Sequence, residues 1–233
     1  MQLLCAWIGA ILFLASLAYF LFAYAVTFGE TGTPGARLSP ILINGLLFSA
    51  FALHHSAFAR TGIKAAIGRR WSPAIERSLY TWVASLLFLV VCWAWQPVAG
   101  VLYDIRTPWH WLGYAVQLAG VVITIAASRR LDMLDLAGVR ATLLARSGEL
   151  ARHVPLQTGG LFALVRHPIY LGWVLFVFGA PRMTITRFVF ACVSTAYLAV
   201  AIPWEERGLI GLFGDEYARY QRRVRWRMLP GVY

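Results

Sequence analysis

The sequence predicts an all-α protein, a polytopic membrane helical bundle of five to six transmembrane segments with a C-terminal amphipathic cytoplasmic helix. Three observations predict this class: 60% of the 233 residues are apolar, only 13% are charged, and the apolar residues gather into long runs. A soluble domain would carry about 25% charged residues. We therefore expect residues 1–233 to form a single integral membrane domain.

The apolar runs give the helices in chain order. A helix rises 1.5 Å per residue, so a membrane core of about 30 Å needs roughly 20 residues. The first four runs are long enough to span, and the first is expected to be a retained anchor because it lacks the basic start of a signal peptide. The fifth is short and is expected to be either a tilted span or half of a helical hairpin. The runs lie at about 3–28, 38–58, 78–98, 109–128, 168–181 and 186–204.

The basic residues predict that both termini are cytoplasmic. If six segments alternate from a cytoplasmic N-terminus, four of the 21 basic residues lie outside, namely Arg37, Arg106, Arg182 and Arg187, which leaves 17 inside. Such an excess marks the cytoplasmic side. The net charge of +11 is then mostly an inner-surface property, suited to anionic lipid headgroups. No nucleic-acid-binding motif accompanies the arginines, so no nucleic-acid partner is predicted.

The segment after the last apolar run is predicted to be an amphipathic helix. Its apolar and aromatic positions recur every three or four residues, which places them on one face. Gly214 is expected to bend the segment, and Asp215 to cap the turn that restarts it. Leu209, Phe213, Tyr217, Tyr220 and Val224 lie on this face, and so does the acidic Glu206.

The stretch from Arg166 to Gly172 carries the clearest chemical signal. Ionisable groups at the edge of a membrane span usually line a site. Pro168 suits the first turn of a helix, whose free backbone N–H groups would then face an anion beside Arg166 and His167. Glu205 and Glu206 end the final apolar run and would add negative charge. The chain has no GxGxxG loop, P-loop or histidine-rich box, so we predict no bound metal.

These motifs form an ordered set that resembles a known family. Thr158-Gly159-Gly160-Leu161-Phe162, then Arg166-His167-Pro168-Ile169-Tyr170-Leu171-Gly172, then Glu205-Glu206, then Phe213-Gly214 with Tyr217 and Tyr220 follow one another. The set is similar to the C-terminal half of the isoprenylcysteine carboxyl methyltransferase superfamily and covers about residues 156–230. Phe162 stands where the family often has tyrosine.

The resemblance implies a methyltransferase that uses S-adenosylmethionine at the cytoplasmic edge of the bundle. It implies that residues 129–233 form the cytoplasmic loop and cofactor-binding part, with residues 1–128 as scaffold and substrate side. Arg166 is expected to be catalytic. The cofactor-binding residues expected on this basis are Gly160, His167, Tyr170, Gly172, Glu205, Glu206, Tyr217 and Tyr220.

A second match lies in the N-terminal half. His54-His55-Ser56-Ala57-Phe58-Ala59-Arg60 and Pro73-Ala74-Ile75-Glu76-Arg77-Ser78-Leu79-Tyr80 resemble stretches of bacterial methanethiol S-methyltransferases and of a membrane protein from denitrification loci. In that subgroup a glutamine stands at the position of His54. The resemblance implies a bacterial inner-membrane protein, and it leaves the oligomeric state open.

The acceptor expected from this match is a small apolar thiol such as methanethiol. A thiol must lose its proton before it attacks, and His55 is the predicted general base, with His54 and Glu76 as weaker candidates. A purely structural role for His55 stays open. So do three other functions: methylation of a prenylcysteine carboxylate, methylation of a phospholipid amine, and a non-enzymatic accessory role of the denitrification type.

Overall fold

A computed structural model describes residues 2–33, 35, 38–58, 73–131 and 155–233. Within these residues the chain forms seven α-helices, two short 3-10 helices and two short strands. The helices are α1 (Gln2–Ala25), α2 (Leu38–Phe58), α3 (Pro73–Ala94), α4 (His110–Ser128), α5 (Pro168–Phe178), α6 (Ile185–Phe213) and α7 (Asp215–Arg223). The 3-10 helices are Thr27–Gly29 and Gly160–Ala163, and the strands are β1 (Val101–Asp104) and β2 (Arg182–Thr184). The all-α class is confirmed.

Five of these helices are long and apolar enough to cross a membrane: α1 with the 3-10 helix after it, α2, α3, α4 and α6. The protein is therefore an integral membrane protein. The fifth predicted run is different, because α5 has 11 residues and is only about 16 Å long. That is roughly half of a hydrocarbon core, so α5 fits a half-crossing segment rather than a complete span.

The described residues divide into two compact units. One extends to Ala99, and the other combines residues from Gly100 to Leu131 with those from 155 onward. In the N-terminal unit α1 and α3 pack closely, since Trp82 Nε1 donates to the Cys5 carbonyl over 3.0 Å. Aromatic side chains fill its core, and the rings of Phe28 and Trp95 lie 5.7 Å apart.

In the C-terminal unit, α4 and α5 approach through glycines. A Cβ on Gly120 would overlap with the Gly172 carbonyl, and one on Gly113 would come within 2.8 Å of the Gly179 carbonyl. Small residues two helical turns apart on each helix thus allow the two backbones to touch, as is common between membrane helices. β1 pairs antiparallel with β2, which brings the segment before α4 beside the segment before α6.

The helix α6 continues further than the apolar run predicted. It extends from Ile185 to Phe213 with Pro203 inside it, so Glu205 and Glu206 lie within a helix and not at its end. The predicted bend at Gly214 is confirmed, because this residue has φ +54° and separates α6 from α7. The prediction that Asp215 caps this turn is wrong, because Asp215 is the first residue of α7. The cap position belongs to Gly214, which has no side chain to accept a hydrogen bond.

Candidate active site

The Arg166–His167 pair is held by main-chain bonds to the segment after α7. The Arg166 N–H donates to the Trp226 carbonyl over 2.9 Å, and the His167 N–H donates to the Arg227 carbonyl over 2.8 Å. Pro168 then begins α5 and is buried, where its missing N–H has no cost. Residues 224–233 form what we call the tail, and this tail fixes the direction in which α5 starts.

The first turn of α5 offers fewer free amides than the sequence predicts. Pro168 has no N–H, while the Tyr170 and Leu171 N–H groups both donate to the His167 carbonyl, over 3.0 and 3.2 Å. An anion site needs several unsatisfied N–H groups at the helix start. A ligand at this helix start would therefore contact the side chains of His167 and its neighbours more than the main-chain N–H groups.

Arg166 and Glu206 form a buried ion pair. Arg166 Nε donates to Glu206 Oε1 over 2.6 Å, and the two side chains are 7% and 4% exposed. Arg166 Nη1 donates to the carbonyls of Val224 and Arg225, over 2.6 and 3.0 Å. A guanidinium with fixed planar donors is suited to such a multiple contact. These bonds give Arg166, predicted as catalytic, a structural task between α6 and the tail.

The second carboxylate oxygen of Glu206 is also occupied. Gln221 Nε2 and Arg227 Nε each lie 3.2 Å from Glu206 Oε2, and the Tyr217 hydroxyl lies 3.5 Å from Oε1. Burial lowers the pKa of the Arg227 guanidinium, but the Glu206 carboxylate and Tyr233 outweigh it and raise that pKa overall. Glu206 thus anchors a cluster of protein donors. We call Arg166, Glu206, Tyr217, Gln221 and Arg227 the Glu206 cluster.

Glu205 lies on the open side of this cluster. Its side chain is 45% exposed, and its Oε2 accepts a hydrogen bond from the Tyr170 hydroxyl over 2.8 Å. His167 Nδ1 lies 3.7 Å from the same oxygen. The structure therefore brings three of the predicted cofactor-binding residues together at the start of α5, with one carboxylate available to a ligand.

The His167 ring lies between the two carboxylates and stacks on Tyr170. The two rings are 5.3 Å apart and nearly parallel. His167 is 7% exposed, and its Nε2 lies 3.4 Å from Glu206 Oε1 without a hydrogen-bond partner among the described residues. A buried polar atom without a partner is costly, so this nitrogen is the most conspicuous unsatisfied group of the site.

Tyr217, a member of the Glu206 cluster, packs edge to face against Tyr220. The Tyr220 hydroxyl donates to the Phe162 carbonyl over 2.6 Å. Burial raises the pKa of Tyr220 to about 12, and burial with the Glu206 carboxylate raises the pKa of Tyr217 above its ordinary range. Both hydroxyls therefore stay protonated at neutral pH. Phe162 is buried among these rings, where a phenyl group needs no polar partner.

The two glycines predicted to bind the cofactor have different surroundings. Gly160 has φ +61°, a conformation that favours glycine, and a Cβ there would meet only Arg130 Nη2 at 3.8 Å. Gly172 is buried against α4, and a Cβ there would overlap with Thr124 Oγ1. Helix packing alone accounts for Gly172.

His55, the predicted base, belongs to the N-terminal unit. Its Nδ1 lies 2.9 Å from the Tyr80 hydroxyl, and its ring stacks on Phe51 at 5.6 Å. The neighbouring His54 stacks on Phe58 at 4.6 Å. The Tyr80 hydroxyl thus orients the His55 imidazole, since it lies 2.9 Å from Nδ1 and 3.5 Å from Nε2.

Sequence reasoning missed Gln221, Arg227 and Tyr233. The Arg227 Nη1 donates to the Tyr233 hydroxyl over 3.1 Å, which extends the Glu206 cluster to the last aromatic ring of the tail. Gln221 lies one helical turn after Tyr217, on the face already assigned to the site, and this spacing was a usable signal. Nothing in the sequence distinguishes Arg227 from the other arginines of this segment.

A comparison with curated proteins finds a group of related membrane methyltransferases. The chain is 37% identical over 196 residues to a methanethiol S-methyltransferase 1 of Bradyrhizobium diazoefficiens, covering 84% of this chain and 69% of the relative. It is 35% identical over 220 residues to a methanethiol S-methyltransferase of Mycobacterium tuberculosis, covering 87% of each chain. A protein-S-isoprenylcysteine O-methyltransferase of Schizosaccharomyces pombe is 26% identical over 98 residues, covering 37% of this chain and 42% of the relative. No protein-family model and no solved structure matches the chain.

Proposed function

Because this chain belongs to the methanethiol S-methyltransferase family of membrane methyltransferases, we propose that it methylates a small thiol, methanethiol in the first instance, with S-adenosylmethionine as donor. A methyltransferase needs a methyl donor. Our proposed donor site consists of His167, Tyr170 and Glu205 at the start of α5. Identity of 35–37% over most of the chain to relatives with this activity carries the proposal. Cytoplasmic termini and an inner-membrane location belong to the same proposal.

The residues at the start of α5 fit the chemistry of this donor. S-adenosylmethionine combines a carboxylate, an ammonium and a sulfonium, and when bound it would supply a methyl group activated by positively charged sulfur. The half-exposed Glu205 carboxylate would hold positive charge. The stacked rings of His167 and Tyr170 would provide an aromatic surface, and the unsatisfied His167 Nε2 would take a polar atom of the donor.

The Glu206 cluster would not contact the donor but would support the residues that do. Glu206 is satisfied by Arg166, Gln221 and Arg227, so its task is to hold the segment that carries His167. This assigns Arg166 a positioning role instead of direct contact with the reacting atoms. A cluster fixed in advance is what methyl transfer requires, since positioning supplies much of the rate.

The thiol must lose its proton before its sulfur attacks, and we propose that His55 accepts it. The new carbon–sulfur bond would form as the donor's carbon–sulfur bond breaks, which would leave two neutral thioethers and the proton held by His55. For Nε2 of His55 to take that proton, Nδ1 must carry hydrogen and donate to the Tyr80 hydroxyl oxygen, 2.9 Å away. A site without water would favour the attack of the resulting thiolate on the sulfonium, because opposite charges disappear in that attack.

The test is donor binding combined with product detection. Detergent-purified protein is titrated calorimetrically with S-adenosylmethionine, and dimethyl sulfide is measured in the headspace after methanethiol is added. We expect micromolar-range binding and product formation in the wild type, and loss of binding in His167→Ala. Well-folded wild type that binds no donor and forms no product would refute the proposal. If the protein binds the donor but methylates a prenylcysteine or a lipid amine and not methanethiol, the proposed acceptor is wrong.

A further inference from the structure

Pro203 interrupts the hydrogen bonds of α6 immediately before the two glutamates. A proline has no N–H to donate, so the carbonyl four residues earlier loses its helical partner. In α6 that carbonyl belongs to Ala199. The Tyr233 hydroxyl donates to it over 2.9 Å. A side chain from the tail therefore replaces the hydrogen bond that Pro203 removes.

The same hydroxyl has a second partner on the side of the Glu206 cluster. Arg227 Nη1 donates to the Tyr233 hydroxyl over 3.1 Å, and Arg227 Nε donates to Glu206 Oε2 over 3.2 Å. The hydroxyl thus donates once and accepts once. It joins the break in α6 to the anchoring carboxylate through a single arginine.

The Tyr233 ring itself is fixed by packing. The Arg227 guanidinium lies 5.2 Å from the ring centroid, within the range of a cation–π contact. The ring packs against the apolar group that contains the fully buried Ile202 and Met228, and Tyr170 packs against the same group. The hydroxyl is therefore presented to Ala199 and Arg227 by a ring with little freedom.

We propose that Tyr233 is a positioning residue of the methyl-donor site. Glu205 and Glu206 follow Pro203 by two and three residues. The direction of their side chains therefore depends on the path of the helix backbone after Pro203. The Tyr233 hydroxyl holds the helix on either side of Pro203: it donates to the Ala199 carbonyl before it, and through Arg227 it reaches Glu206 after it. This inference rests on the proposed function, because the task it assigns to Tyr233 is to keep Glu205 and His167 in register for the donor.

The test compares two tyrosine hydroxyls of the same unit. Tyr233→Phe removes only the proposed link. Tyr103→Phe is the matched control, because the Tyr103 hydroxyl also donates to a main-chain carbonyl, that of Phe178, over 3.2 Å. We expect Tyr233→Phe to weaken S-adenosylmethionine binding about tenfold, the usual size for a lost bond to a charged group, with the KM for methanethiol unchanged. Tyr103→Phe is expected to bind the donor like the wild type.

A second measurement is independent of donor binding and activity. Hydrogen–deuterium exchange of residues 200–207 should be faster in Tyr233→Phe than in the wild type or Tyr103→Phe. In a Pro203→Ala background the helical N–H returns to the Ala199 carbonyl. There the exchange increase caused by Tyr233→Phe should fall to less than half of its size in the native background.

The outcomes separate this inference from the proposed function. If the wild type binds no donor, the function fails, and exchange alone decides whether Tyr233 holds the break in α6. If the wild type binds and Tyr233→Phe behaves like Tyr103→Phe in both measurements, Tyr233 is not a positioning residue. Equal exchange increases with and without Pro203 would show that the hydroxyl acts elsewhere, which also overturns the inference.

Discussion

Arg166 Nε and Glu206 Oε1 lie 2.6 Å apart, and both side chains are almost completely buried. The pair joins two sequence motifs that are 40 residues apart. Because the Arg166 main chain also pairs with the tail, one residue connects the start of α5, the C-terminal part of α6 and the segment after α7. The proposed donor site therefore depends on this pair even where the donor itself would not touch it.

Arg166→Lys should destabilise the protein although the charge is kept. An ammonium cannot serve Glu206 Oε1 and the carbonyls of Val224 and Arg225 with the planar fork of a guanidinium. We expect a loss of about 1–3 kcal/mol for the groups left without partners, measured as a lower Tm in detergent. Arg129→Lys, at an exposed position, is the control. Equal Tm values for the two variants would contradict the assignment.

The two glutamates should respond differently to neutralisation. Glu206→Gln leaves Arg166 and Arg227 without a buried counter-charge, so we expect a loss of about 3–5 kcal/mol in stability. Glu205 is half-exposed, so Glu205→Gln should change stability by less than about 1 kcal/mol. It should nevertheless weaken donor binding about tenfold. Thermal unfolding and calorimetry on both variants test this, and the reverse order of effects would show that Glu206 is the ligand.

Much of the architecture could be predicted from the sequence. Which residues of the candidate site pair with one another, and which stay open to a ligand, could not. Hydropathy predicted the helices because about 20 apolar residues in a row have few other uses. Motif order brought His167, Tyr170 and Glu205 into one candidate site. Helical spacing placed Glu206, and not Glu205, on the face that carries Tyr217 and Tyr220, but the set of donors around its carboxylate was out of reach, because that set depends on tertiary packing. The partner arginine was equally out of reach, since Arg227 lies in a segment rich in arginine.

Gly172→Ala tests whether Gly172 serves packing or the donor. An added Cβ would overlap with Thr124 Oγ1 and the Gly120 carbonyl, so α4 and α5 must separate, at a cost of about 1–3 kcal/mol. Gly208→Ala is the matched control, because nothing lies within 4 Å of its added Cβ. The control should gain up to about 1 kcal/mol from better helix propensity. A Gly172→Ala protein with normal Tm and lost donor binding would return this glycine to the donor site.

His55→Gln should lower kcat about a hundredfold or more, the usual contribution of general-base catalysis. The Kd for S-adenosylmethionine should stay unchanged, because the predicted task of His55 concerns only the thiol. Tyr80→Phe removes the hydroxyl beside His55 Nδ1 and should cause a smaller loss. Steady-state rates with methanethiol and calorimetry measure these effects. A larger loss in His54→Gln than in His55→Gln would move the base to His54.

Removing the Tyr220 hydroxyl should cost more stability than removing that of Tyr217. The Tyr220 hydroxyl makes a 2.6 Å bond to the Phe162 carbonyl, while that of Tyr217 lies 3.5 Å from Glu206 Oε1. Tyr220→Phe leaves a buried carbonyl without its donor and should cost about 1–3 kcal/mol. Tyr217→Phe should cost less than about 1 kcal/mol, since Glu206 keeps its other partners. Paired thermal unfolding of the two variants decides the order.

The pairing of Arg166 and His167 with the tail also separates membrane anchoring from completion of the site along the chain. The carbonyls that receive the Arg166 and His167 N–H groups belong to Trp226 and Arg227, and none of the five candidate spans includes them. All five spans lie before the tail in the chain, so the tail is not needed to anchor the protein. A chain truncated before Val224 would keep these spans but would lose the carbonyls that receive the Arg166 and His167 N–H groups.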